Sequence, residues 1–110
     1  MLRESATVVV ARNETWRGSA STEPFEAGWA IEAVIFVRAL KAPIGAMPEV
    51  RVEVSPDGIR WLPEGTRFAL PAEEDAMTMA RVSHFGNWLR IAADLHADTE
   101  LTVLVTMHLK

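Results

Sequence analysis

The chain has 110 residues, a formal net charge of −4 and no cysteine. This length makes one domain, 1–110, able to bury a core without covalent staples, and the missing cysteine excludes disulfides, thiolate metal sites and a cysteine nucleophile. The acidic balance argues against a nucleic-acid partner, because sequence-independent binding needs a basic surface.

The start, Met1-Leu2-Arg3-Glu4-Ser5, has no apolar stretch behind a basic one, so no secretion signal is expected. Val8-Val9-Val10 marks a first strand over 6–12. Arg12 to Ser21 is polar apart from Trp16, which is therefore the indole expected at the surface. Residues 28–40 form the longest apolar stretch, too short and too interrupted by Glu32 and Arg38 to span a bilayer. Its odd positions, Trp29, Ile31, Ala33, Ile35, Val37 and Ala39, are all apolar, whereas its even positions mix charge with Val34, Phe36 and Leu40. Such a strand is covered fully on one face and partly on the other. Trp29 is expected in the core, and the partial cover is expected from loops or from another subunit.

Lys41 to Pro48 is a loop punctuated by Pro43, Gly45 and Pro48. Val50, Val52 and Val54 alternate with Arg51 and Glu53 in a strand over 49–54. Ser55-Pro56-Asp57-Gly58 is a turn in which proline presets φ and glycine accepts a positive φ. A return strand is expected over 59–62, with Ile59 and Trp61 inward, ended by Pro63-Glu64-Gly65 and followed by a short strand over 66–70. Pro71 with Glu73-Glu74-Asp75 has the composition of a helix start. Met77 and Met79 nevertheless alternate with Thr78 and Ala80, so an acidic loop and a strand over 77–83 are expected, with a short helix over 72–80 as the alternative.

Leu89, Ile91, Ala93 and Leu95 make one face of a strand over 88–95, with Trp88 and Arg90 opposite. Leu101, Val103, Val105, Met107 and Leu109 make the buried face of a last strand over 100–109. The polar link His96-Ala97-Asp98-Thr99 suggests that these two strands form a β-hairpin. Eight short strands with turns between them define an all-β protein, an eight-strand antiparallel β-sandwich of jelly-roll type.

Two segments resemble known families. Val54-Ser55-Pro56-Asp57-Gly58-Ile59-Arg60-Trp61 resembles the S-x-D-G-x-x-W hairpin of discoidin-type domains, and Gly86-Asn87-Trp88-Leu89-Arg90-Ile91 resembles the strand that follows it there. The closing strand, ending at Lys110, resembles that of small phage and bacterial structural sandwiches, capsid-like single jelly rolls among them. The resemblance implies a jelly roll that binds a sugar or lipid surface, or one that assembles. The chain is shorter than discoidin domains and lacks their cysteines.

No catalytic constellation stands out. His84, His96 and His108 lie on separate elements, without the convergence a cupin-like metalloprotein needs. Asp94, His96 and Asp98 share a face in an extended segment, but two carboxylates and one imidazole also suit an ordinary polar turn. Glu73-Glu74-Asp75 lacks the glycine-punctuated loop of a calcium site. Ser55 and Ser83 lack a nucleophile elbow, and no glycine-rich phosphate loop occurs. The expectation is a non-enzymatic protein with no cofactor and no metal, in the cytoplasm or in a particle assembled there. Four tryptophans and five methionines, residue types enriched at interfaces, point to self-association into a ring, trimer or shell. Trp16, Val34, Phe36, Trp88 and Arg90 are the interface or ligand candidates. A carbohydrate-binding module with exposed tryptophans is the first alternative and a small cupin-like metalloprotein the second.

Overall fold

Period-two alternation of apolar and polar side chains gives strands. The computed structural model describes residues 5–110 and contains nine strands and no helix among them; the readings that involve Met1, Leu2, Arg3 and Glu4 lie outside the described residues. The strands are β1 (Ala6–Trp16), β2 (Ser19–Ser21), β3 (Phe25–Glu26), β4 (Glu32–Ala39), β5 (Glu49–Ser55), β6 (Leu62–Ala69), β7 (Met77–Ser83), β8 (Trp88–Asp94) and β9 (Leu101–Leu109).

They form two antiparallel sheets. One has the order β1-β9-β4-β7, the other β2-β8-β5-β6, with β3 also paired to β8. Their inner faces enclose one core. Leu101, Val103, Val105, Met107 and Leu109 of β9 are fully buried, as are Ile35 and Val37 of β4, Val50 and Val52 of β5, and Leu89, Ile91 and Ala93 of β8. These are the inward positions expected from alternation. The acidic loop before β7 also forms as expected, in place of a helix over 72–80.

Several boundaries differ. The first strand runs on to Trp16, with two register shifts against β9 and a left-handed Asn13 (φ 51) at the second. That extension carries Trp16 opposite Leu101, where it is buried at 3% exposure instead of lying at the surface. The strand expected over 28–40 begins only at Glu32. Trp29 and Ile31 sit in the preceding turn and are 43% and 63% exposed, so Trp29 is not a core residue.

The two short strands expected at 59–62 and 66–70 are one strand, β6. Pro63 and Gly65 do not end it, because β6 is an edge strand, where a proline removes no ladder bond. A register shift opposite Arg51 and Glu53 absorbs the extra residues, and Gly65 takes φ 116. Residues 59–61 belong to the connection, which leaves Ile59 79% exposed and turns Trp61 outward.

The hairpin expected over 88–109 does not form. β8 pairs with β2, β3 and β5, whereas β9 pairs with β1 and β4, so the link 96–100 crosses from one sheet to the other. Alternation fixes which face of a strand is buried. It is blind to whether two inward faces lie side by side or meet across the core.

Candidate functional site

The sandwich has two outer faces of different character. On the β2-β8-β5-β6 sheet the outward positions of β5 and β8 bring Arg51, Glu53, Arg90 and Asp94 together. Glu53 is buried at 7% exposure. Its Oε2 accepts from Arg51 Nε at 2.9 Å and its Oε1 from Arg90 Nε at 2.7 Å. Arg51 also donates to Asp94 Oδ2 at 2.8 Å, and Ser19 Oγ donates to Asp94 Oδ1 at 3.0 Å.

Burial pushes the Glu53 carboxyl up, but the hydrogen bonds from Arg51 and Arg90 outweigh it and hold the group below the usual carboxylate range. The Ser19 hydroxyl and then Arg51 hold Asp94 low in the same way. Arg90 lies over the Trp61 ring, 4.2 Å from its centroid, a cation–π contact. Every charged group in this cluster is thus engaged by a neighbour.

Beside it stands the turn after β5. Ser55 Oγ accepts from the Gly58 and Asp57 amides at 2.8 and 3.2 Å. Asp57 Oδ1 accepts from the Ile59 and Arg60 amides at 2.8 and 2.9 Å. The Arg60 amide and then that of Ile59 hold the Asp57 carboxyl below its ordinary value. Gly58 is left-handed (φ +78), and a Cβ placed on it would lie 3.2 Å from the Trp88 ring. Trp88 therefore faces away from the core, as its phase opposite Leu89 requires, and the turn packs against its ring.

The outer face of the β1-β9-β4-β7 sheet is apolar at its centre. Phe36 has Met79 beside it on β7 and Thr106 on β9, and Thr106 faces Val9 on β1. This row crosses all four strands. Val9 is 40% exposed and Met79 38%. The adjoining row places Arg38 between Leu104 and Met77, which is 58% exposed; the row on the other side places Val34 between His108 and Arg81. Ion pairs tie down both ends of the face, Arg38 with Asp75 at 2.8 Å and Lys110 with Glu32 at 3.6 Å.

The five candidates from the sequence do not form one site. Val34 and Phe36 share the apolar face, Trp88 and Arg90 lie on the opposite, polar face, and Trp16 is in the core with its Nε1 donor buried and unpartnered. Met79, Val9 and Leu104 complete the apolar face. Their signal was the even-position apolarity of 28–40, which leaves room for partners of the same kind on neighbouring strands. Among the described residues no three His, Asp or Glu side chains converge as a metal site would require.

No family model and no curated protein matches this chain. Among solved structures, it matches the crystal structure of the SPBc2 prophage-derived protein YomS, with a TM-score of 0.62 over 96% of this chain and 92% of that one. The two share a fold. Their identity is 8%, so the likeness extends to the architecture of the whole sandwich and stops there.

Proposed function

We propose that this chain is a non-enzymatic structural protein that works by associating with copies of itself, on a jelly-roll scaffold. The observation that carries this reading is the apolar row of Val9, Phe36 and Met79 on the outer face of the four-stranded sheet, flanked by Val34, Leu104 and Met77. An isolated sheet face exposed to water ordinarily alternates to polar residues, and contiguous exposed apolar surface rimmed by charge is the mark of an interaction site. The polar face supports the same reading from the other side, because its arginines and carboxylates satisfy one another.

The jelly-roll assignment rests on pairing. If β2 and β3 are counted as one interrupted strand, there are eight strands, and the pairs first–last, second–seventh, third–sixth and fourth–fifth are all present. These pairs support reading the chain as one long hairpin rolled into a sandwich. The solved structure that shares this fold is of a prophage-derived protein, which is consistent with a phage-related, non-enzymatic domain.

The test is native mass by light scattering, with Phe36→Glu beside the wild type. Position 36 points outward, so the variant keeps the core. The wild type is expected as a defined multimer of the 12.2 kDa chain, and Phe36→Glu at half that mass or less. A wild-type monomer at every concentration overturns the reading. Trp29, 43% exposed, then becomes the first substitution in a glycan screen.

A further inference from the structure

We propose that β7 is an assembly edge: it pairs antiparallel with β7 of a second copy, fusing two four-stranded sheets into a continuous one. This rests on the self-association reading and names a second contact for it.

A two-sheet sandwich has four edges, and bare edges invite pairing with other chains, so proteins blunt them. Three are blunted here. β1 is broken by two register shifts and the left-handed Asn13. β6 carries Pro63, a register shift and Gly65 at φ 116. The remaining edge is divided into β2 and β3, three and two residues long, with Pro24 between them. Among the described strands, β7 alone is an intact edge: its seven residues pair with β4 without interruption and contain no proline, glycine or left-handed residue.

The open hydrogen-bonding groups can be assigned. The Ala39 amide donates to Ala76 O, and the His84 amide donates to Ile31 O, at 3.0 and 2.9 Å. The Ala76 carbonyl and the His84 amide thus point toward β4 and its flank, while the Ala76 amide donates to Glu73 O in the preceding loop. Antiparallel ladders alternate, so Thr78, Ala80 and Val82 turn their backbone groups toward β4. The N–H and C=O of Met77, Met79, Arg81 and Ser83 then point away from the sheet, where no described strand pairs with them.

Charge selects the partner and its direction. β7 is preceded by the exposed Glu73-Glu74-Asp75, carries the exposed Arg81 near its end and is followed by the exposed His84. Neither Glu73, Glu74 nor Arg81 has an ion-pair partner among the described residues. Antiparallel pairing about a two-fold axis brings the acidic end of one copy to the basic end of the other; parallel pairing would oppose like charges. The row Val9–Thr106–Phe36–Met79 reaches the edge at Met79, so the fused sheet continues it into the second copy.

The experiment is amide hydrogen exchange on the wild-type protein at a concentration where light scattering shows it self-associated. The Met79 and Arg81 amides are expected to exchange at least tenfold more slowly than in dilute solution. A multimer in which they exchange as fast as exposed amides overturns the edge and leaves self-association standing. A protein that is monomeric throughout overturns both. Arg81→Pro removes one outward donor while leaving the bonds to β4, and Arg81→Ala removes the same side chain but keeps the amide. The proline variant is expected to self-associate at least tenfold more weakly than the alanine variant, and equal affinities would contradict the proposal.

Discussion

At the scale of single residues, Gly58 joins the legible to the illegible. The Ser55-Pro56-Asp57-Gly58 turn was readable because its geometry demands those residue types. The Trp88 ring packed against Gly58 was not, because nothing local in a sequence reports a contact thirty positions away. The tryptophans show the same limit. Trp88 was placed correctly by phase against Leu89, since β8 is regular. Trp16, Trp29 and Trp61 were misplaced because each lies where a strand bulges or has not yet begun. Gly58→Ala is expected to lose about 1–2 kcal/mol, the cost of a left-handed conformation for an L-residue, and to shift tryptophan emission as the added methyl presses on Trp88. Thermal melting with fluorescence checks both. An unchanged melting temperature would mean that the turn relaxes without strain.

At the scale of elements, β9 and β8 were legible because each presents an unbroken apolar face, and β6 was not because its proline and glycine mimic a terminus. The sequence also did not reveal why Glu53, on an otherwise valine-lined strand, is tolerated at 7% exposure. The answer is on β8 and within β5 itself: Arg90 and Arg51 each donate to it. This cluster makes a signed prediction. A carboxyl held low in the folded state stabilises the fold fully above its unfolded pKa, about 4.3 for Glu, and loses that contribution as pH falls through the lower folded value. Asp57 and Asp94 act in the same direction. Stability measured by urea titration is therefore expected to hold near neutral pH and to decline on acidification below about pH 4. Glu53→Gln is expected to cost about 1.5–3 kcal/mol at neutral pH, the worth of hydrogen bonds to a charged group, and to make the acid decline shallower without abolishing it. An acid limb as steep as the wild type's would remove Glu53 from the account.

At the scale of the molecule, composition and alternation were enough for an antiparallel sandwich, and the partition of strands between sheets was beyond them. The first and last strands pair, Ala6 with Leu109, and nothing in the spacing of apolar residues encodes so distant a partner. The same partition decides what the surface offers. By placing β4 inside the β1-β9-β4-β7 sheet, it aligns the even positions of the apolar stretch with Val9 and Met79, and so turns scattered partial burial into one patch. If that patch joins copies, folding and association are linked, because only folded chains present it. The melting temperature is then expected to rise with protein concentration, since mass action favours the associated folded state. Phe36→Glu, which puts a carboxylate in the middle of the row, should largely remove that dependence while melting close to the wild type measured at its most dilute. Differential scanning calorimetry over a hundredfold range of concentration makes the comparison. A wild-type melting temperature that does not move across the range would show that the patch contributes nothing to stability through contacts between copies.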